Sequence, residues 1–260
     1  MKPLIIIQAR TGSTRLPNKM TMPFYGGKSV LDILLERLKL AKPELEIEDI
    51  VVATTNNLKD DAIIEICKAH NIQYFRGSEN DVLQRFIDTA TKHYAEKIIR
   101  ICADNVFLDT TSLAVLSSYM KTNGVEFDYI SFKKSDNTPS ILTHYGFFAE
   151  GVTLSALKKV KSLTENSLFH EHVTNYIYNA QDIFKVKLFP IEDMVKGIES
   201  HTNLRLTLDT QDDFDIQKTI YSHFIENKLK ITPSNIMYYL DNENPGLYAI
   251  MSKTIKSNSK

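Results

Sequence analysis

LIIIQARTGSTRLPNK, Leu4–Lys19, decides how the rest of this chain is read. Leu4–Ala9 is a short, β-branched apolar run bounded by turn-forming residues. That pattern predicts a strand buried on both faces of a parallel sheet. The next residues change character at once. Gly12, Ser13 and Thr14 make a small turn whose backbone N–H groups can approach phosphate oxygens closely. Arg10, Arg15 and Lys19 put three cations on the same loop, and Pro17 stiffens it. A triphosphate carries about four negative charges, which must be neutralised as pyrophosphate departs. Arginine grips two phosphate oxygens at once and lysine adds a point charge. The competing reading is a solvated basic loop, and placement directly after a buried strand weighs against it. The loop fits neither G-x-x-x-x-G-K-[ST] nor G-x-G-x-x-G, so kinase and dinucleotide readings of those types lose support.

Outward from this loop, Ser29 reads as the N-cap of a helix with Val30, Ile33, Leu34 and Leu38 on one face. Strands at Ile50–Thr54, Gln73–Arg76 and Lys97–Cys102 alternate with helices at Asp60–His70, Asp81–Tyr94 and Ser112–Thr122. The order βαβαβαβα predicts an α/β, Rossmann-like fold, its mostly parallel sheet covered by helices on both faces. In such sheets ligands sit beyond the carboxyl ends of the strands. The second half is less regular. Tyr129–Phe132, Tyr145–Ala149, Phe184–Phe189 and Leu204–Asp209 read as strands, and Thr153–Lys161, Glu165–Asn179 and Asp212–Phe224 as helices. The chain reads as a single domain over 1–245 with a subsidiary lobe at about 135–185. Residues 246–260 read as a polar, frayed tail.

The 260 residues are 43% hydrophobic, enough for a sizeable core and against disorder. A net charge of -1 argues against general nucleic-acid binding, which needs a basic excess. Cys67 and Cys102 read as reduced core thiols. The apolar run Leu4–Ile7 is too short for a signal peptide or a membrane span, and no later run reaches span length. The expectation is a cytoplasmic protein with no membrane segment.

Two aspartates stand where predicted strands end: Asp104 after IIRICA and Asp209 after LRLTL. Magnesium takes hard oxygen ligands, one or two carboxylates together with phosphate oxygens. If the two strands are parallel neighbours, both carboxylates face the ligand side and can hold that ion against an α-phosphate. A helix cap or turn residue is the alternative for each. Asp109, Asp212, Asp213 and Asp215 read as caps and surface charges. Thr54, Thr55 and Asn56 end the second strand and either contact a base or ribose or simply make the turn. Arg100, inside an apolar strand, must be paired or at the sheet end.

QARTGSTRLPNK resembles the signature of the cytidylyltransferase superfamily that includes CMP-Kdo and CMP-acylneuraminate synthetases, and is most similar to its spore-coat polysaccharide, SpsF-like branch. There the usual form is QAR-x-GSTRLPGK, so Asn18 replaces a glycine. The resemblance spans most of residues 3–225 and implies the nucleotide-diphospho-sugar transferase type of fold. It implies that Arg10, Arg15 and Lys19 bind the triphosphate and act in catalysis. It also implies nucleotide contacts from Gln8, the backbone of Ala9–Arg10, Gly12, Ser13 and Thr14. Asp104 and Asp209 (in LRLTLDTQDDF) match the family's metal ligands, with Asn105–Val106 where Cys-Pro is more usual. FRGSENDVLQRF, Phe75–Phe86, is similar to the same branch and suggests that Ser78, Asp81 and Arg85 lie near the nucleotide. FHEHVTNYIYN resembles a REHVT-x-YI segment near the acceptor and a dimer contact. It implicates Glu171 and His172, with Glu150 of YGFFAEG, on the acceptor side.

The implied reaction transfers CMP from CTP to an acidic sugar of the nonulosonic-acid type, with Mg2+ as cofactor and a homodimer as the assembly. One rival is a GT-A-type glycosyltransferase, which would carry a D-x-D after a strand and need no triphosphate grip. The other is a catalytically silent nucleotide-binding paralogue.

Overall fold

Alternation within one apolar strand organises the molecule. The computed structural model describes residues 1–122 and 126–257. In β1 (Leu4–Gln8), Leu4 and Ile6 enter one core while Ile5 and Ile7 enter another on the opposite face. Successive side chains of a strand point to opposite faces, so this strand needs covering on both sides. A small hairpin follows, β2 (Pro23–Tyr25) with β3 (Lys28–Ser29). The other strands are β4 (Ile50–Thr55), β5 (Gln73–Gly77), β6 (Lys97–Cys102), β7 (Tyr129–Lys133), β8 (Glu150–Thr153) and β9 (Val186–Pro190). The main sheet runs β5-β4-β1-β6-β8-β7-β9. Among the described strands of this sheet, only β8 is antiparallel to its neighbours. The chain moves outward from β1 through β4 to β5, then returns to β6 on the other side of β1. The carboxyl ends of β1 and β6 thus flank the crevice where such sheets bind ligands.

The helices in the first part are α1 (Val30–Ala41), α2 (Asp61–Ala69), α3 (Val82–Lys92), α4 (Thr110–Lys121) and α5 (Leu154–Leu163). Then come α6 (Ser167–Glu171), α7 (Asn175–Asn179), α8 (Gln211–Glu226), α9 (Pro233–Asn242) and α10 (Leu247–Ser257). α1, α2, α4, α8, α9 and α10 bury their apolar faces in the core on the Ile5/Ile7 side. α3, α5 and α7 cover the Leu4/Ile6 side. Ser29 caps α1 as expected, in a capping box with Asp32.

Four expectations need correcting. Tyr145–Ala149 is not a strand; the strand begins at Glu150, and the preceding aromatics pack into the core. Leu204–Asp209 has alternating burial at Leu204, Leu206 and Leu208 but joins no ladder. Its Leu206 and Thr207 N–H groups both donate to the His144 carbonyl. Gly146 (φ +68°) makes that approach possible, because a Cβ there would lie 2.4 Å from the Leu206 carbonyl oxygen. Glu165–Asn179 is two short helices, α6 and α7, broken at His172–Thr174. The described part of the expected tail is the helix α10, whose Met251 and Thr254 are buried as it packs against α8.

Candidate active site

β1 ends at Gln8, in register with Cys102 at the end of β6. The cationic loop and the loop bearing Asp104 therefore leave neighbouring strands side by side. The cationic loop is folded on itself, since the Thr11 carbonyl accepts the N–H groups of both Ser13 and Asn18. Asn18 takes the left-handed conformation (φ +60°), which asparagine tolerates where glycine is more usual. Beneath the loop, Asp60 accepts from the Thr11 N–H at 2.8 Å and from the hydroxyls of Thr11, Thr54 and Thr55. Burial would raise the Asp60 pKa, but these hydrogen bonds outweigh it and hold the carboxyl below its usual range.

The loop's cations face carboxylates. Lys19 Nζ donates to Asp104 Oδ2 at 2.7 Å and to the Leu208 carbonyl, and lies 3.7 Å from Asp209 Oδ1. Burial pushes the ammonium pKa down, and the charges of Asp104 and Asp209 more than reverse it, so Lys19 is held protonated. Arg15 pairs with Asp209 at 2.9 Å and Arg10 with Glu171 at 3.3 Å. Asp209 is itself positioned from behind. Arg205, fully buried, binds Asp213 through two nitrogens at 2.7 and 2.9 Å and Asp209 at 3.0 Å. Arg10, Arg15, Lys19, Asp104, Glu171 and Asp209 line a cavity of about 240 Å³ together with Gln8, Ser13, Thr14 and Cys102.

A second cavity, of about 460 Å³, shares Arg15, Cys102, Asp104 and Asp209 with the first. Its remaining wall comes largely from residues 140–178, including Thr143, Leu168, His172, Asn175 and Tyr178. Arg100 lies at its floor, opposite Glu150 in the antiparallel register of β6 and β8. The Arg100 guanidinium pairs with Glu150 and donates to Gln8 Oε1 at 3.1 Å. Glu150 also accepts from Tyr129 at 2.6 Å and Thr174 at 2.8 Å.

The predicted residues divide accordingly. Gln8, Arg10, Ser13, Thr14, Arg15, Lys19, Asp104, Asp209 and Glu171 converge on the first cavity, and His172 lines the second. Ala9 is buried and Gly12 exposed beside the loop, lining neither. Glu150 is buried in the Arg100 network and does not face the acceptor cavity, because all its neighbours claim its oxygens. Thr54 is likewise committed to Asp60, while exposed Asn56 lies outside both cavities. Ser78 and Asp81 cap the start of α3, Asp81 also pairing with Lys161 and the buried His170. Arg85 is fully buried, its Nη1 on the Ser78 carbonyl, and its Nε and Nη2 find no partner among the described residues. Burial and the nearby Arg10 charge push its pKa down to about 10.

The sequence reading missed Asp60, Arg205 and the buried role of Asp213, which is no surface charge. The available signals were an aspartate five residues after a Thr-Thr strand end and a lone arginine within an apolar alternation. Asp109 does cap α4, accepting from Thr111 and Ser112.

Asp104 and Asp209 already converge on one ammonium group, offering an all-oxygen, doubly negative donor pair. That donor set fits a hard divalent cation completed by phosphate oxygens. Among the described residues no group of three or more His, Cys, Asp or Glu is placed to hold a metal ion.

A mostly parallel sheet with a cationic loop at its switch point, facing paired carboxylates, defines a nucleotidyltransferase. The cytidylyltransferase family model matches residues 4–242. The chain is 36% identical to MJ1063 of Methanocaldococcus jannaschii over 97% of its length and 95% of that protein. It is 32% identical to the spore coat polysaccharide biosynthesis protein SpsF of Bacillus subtilis, covering 84% and 85%. A solved cytidylyltransferase from Leptospira borgpetersenii superposes with a TM-score of 0.80 at 30% identity, over 95% and 97% of the two chains. CMP:2-keto-3-deoxy-manno-octonic acid synthetase complexed with CTP shares the fold, with a TM-score of 0.62 at 14% identity over 86% and 99%. The chain belongs to the cytidylyltransferase family and is a CTP-dependent nucleotidyltransferase.

Proposed function

We propose that this enzyme transfers CMP from CTP to a hydroxyl of an acidic sugar of the nonulosonic-acid type, releasing pyrophosphate, for surface-polysaccharide synthesis. The observation that carries this reading is the pair of cavities that share Arg15, Cys102, Asp104 and Asp209. One has the cations a triphosphate needs. The other is larger and lined by hydroxyl, amide and apolar groups. Reaction between their occupants must take place at the shared residues.

In the mechanism, Arg10, Arg15 and Lys19 exchange their carboxylate partners for phosphate oxygens and neutralise the leaving pyrophosphate. Asp104 and Asp209, released from those cations, would hold Mg2+. The ion would supply charge stabilisation at the α-phosphate. Arg205 and Asp213 keep Asp209 oriented. Thr14, Ser13 and the loop's N–H groups complete the phosphate cradle. His172, lining the second cavity, positions the acceptor, while Glu171, lining the first, holds Arg10. Attack by the acceptor hydroxyl on the α-phosphorus and departure of pyrophosphate need no covalent enzyme intermediate, and positioning supplies much of the rate.

A cytoplasmic location is supported by the cytosolic supply of CTP, and no helix among the described residues is long and apolar enough to cross a membrane. A homodimer is proposed on the family likeness and is tested by light scattering. The decisive assay is pyrophosphate release from each of the four NTPs with Mg2+ against a panel of acidic sugars, with Asp104→Ala as the blank. Release with CTP and one acceptor, lost in the blank, supports the reading. Nucleotide binding with no release across the panel refutes it.

A further inference from the structure

The stretch that closes the second cavity is fastened to the segment that carries Asp209. Ile141, Leu142, Thr143 and Gly146 line that cavity. His144 stands among them without lining it and binds the Leu204–Asp209 segment through both backbone and ring. Its carbonyl accepts from the Leu206 and Thr207 N–H groups at 2.8 and 3.2 Å, and its Nδ1 lies 2.7 Å from Nη1 of Arg205. An arginine has no acceptor, so the ring must accept at Nδ1, which only a neutral ring with its proton on Nε2 can do. The buried Arg205 guanidinium is thereby held at every corner. Nε and Nη2 bind Asp213, Nη2 also binds Asp209 Oδ2 at 3.0 Å, and Nη1 binds His144. A planar group held at three corners cannot tilt without losing a bond. Asp209 divides its oxygens accordingly: Oδ2 rests on Arg205, while Oδ1 faces Arg15 and Lys19.

We infer that His144 is a positioning residue for the reaction: by accepting from Arg205 it fixes the guanidinium plane, and through it the direction in which Asp209 presents Oδ1 to the cation that accompanies CTP. The inference rests on the assignment of Asp209 to Mg2+ in the reading above and adds to it a residue supplied by the acceptor-side loop. Without an acceptor opposite Nη1, Arg205 keeps Asp213 but is free to rock about that edge, and the Asp209 carboxylate rocks with it. Loss of an outer partner that touches a metal ligand lowers metal affinity by about 10- to 100-fold, and His144 acts one residue further out, so about 10-fold is expected.

The test needs no acceptor sugar. Titration calorimetry on the full chain measures the Kd of CTP with Mg2+ and with EDTA, and the ratio of the two is the metal's contribution. His144→Leu should cut that ratio by about 10-fold while leaving the EDTA value unmoved. His144→Asn should restore most of it, because its Oδ1 accepts where Nδ1 did. Asp209→Asn is the control for the metal assignment and should remove the contribution. In the metal-free wild type, two-bond 1H–15N correlation spectra should show His144 protonated on Nε2 and not on Nδ1, a readout that depends on no variant folding. Two Kd values that move together in His144→Leu, a ratio equal to that of wild type, no rescue by asparagine, or a proton on Nδ1 each overturn the inference while the metal reading stands. A ratio that Asp209→Asn leaves unchanged overturns the metal reading, and this inference with it.

Discussion

Replacing Glu150 by alanine strips the counter-charge from Arg100, and the cost follows from where the pair sits. The two side chains are 8% and 2% exposed, so the guanidinium left behind meets water only along the edge it shows to the second cavity. Breaking a buried pair in this way costs about 3–5 kcal/mol. The Tyr129 and Thr174 hydroxyls lose their acceptor at the same time, each adding up to roughly 1–3 kcal/mol if no water replaces it. For a chain of this length each kcal/mol lowers Tm by about 2 °C. The expected fall is therefore roughly 6–10 °C or more by differential scanning calorimetry. The companion variant is the double replacement Arg100→Met with Glu150→Leu. Removing both charges relieves the uncompensated one, so the double variant should be more stable than Glu150→Ala alone by about 2 kcal/mol or more. The argument fails if Glu150→Ala melts within 2 °C of wild type, or if the double variant is the less stable one. Either result would mean that water reaches the Arg100 guanidinium and that the acceptor cavity has no dry floor.

Lys19→Met should lower kcat/KM for pyrophosphate release by about 10²- to 10³-fold, in line with the removal of one preorganised charge stabiliser. Steady-state kinetics with saturating acceptor would measure it, and a loss under fivefold would remove Lys19 from the chemistry. Gly146→Ala should destabilise by more than about 1 kcal/mol, because the new Cβ meets the Leu206 carbonyl at a left-handed backbone position. A thermal melt unchanged from wild type would contradict that. Asp60 has a lowered folded pKa, so its stabilisation is complete above the unfolded value of about 3.9 and is lost as pH falls through the folded one. Asp60→Asn should cost about 1–3 kcal/mol at pH 7, and the gap between its urea midpoint and that of wild type should narrow near pH 3. A gap that widens on acidification would reverse the assignment.

The half of the fold around Leu4–Lys19 was legible because its signals are local. A β-branched run flanked by turn residues is a strand wherever it occurs, and Ser29 followed by Asp32 is a helix start. β8 escaped notice because Glu150–Thr153 is four residues with a glycine inside, next to the more apolar YGFFA. That run is buried by packing on Leu204–Leu208 without laddering with it. α9 and α10 went unread because their polar residues dilute a narrow apolar stripe, although Thr232 before Pro233 marked the first. Asp104 and the three cations were legible through their spacing after strands, and Asp209 through its place after an apolar alternation that joins no ladder. Asp60 beneath Thr11 and Arg205 behind Asp209 were not, because each acts through a partner brought near only by the folded sheet. Glu150 was misplaced for the same reason: its cross-strand partner Arg100 lies 50 residues away.

The second cavity's wall has a consequence for inheritance. Apart from Arg15, Arg100, Cys102, Asp104, Asn105, Thr207 and Asp209, its lining is drawn from one uninterrupted passage, 140–178. The first cavity draws on residues 8–20 and 102–104, with Asp209, and takes only Glu171 from that passage. A lineage can therefore exchange one sugar for another by drift or recombination within about forty codons, leaving the nucleotide machinery untouched. Threads between the two include the contact of Glu171 with Arg10, the pairing of Glu150 with Arg100 and the bonds of His144 to Arg205, Leu206 and Thr207, and any transplant of the passage between relatives should carry Glu150 and Glu171 with it.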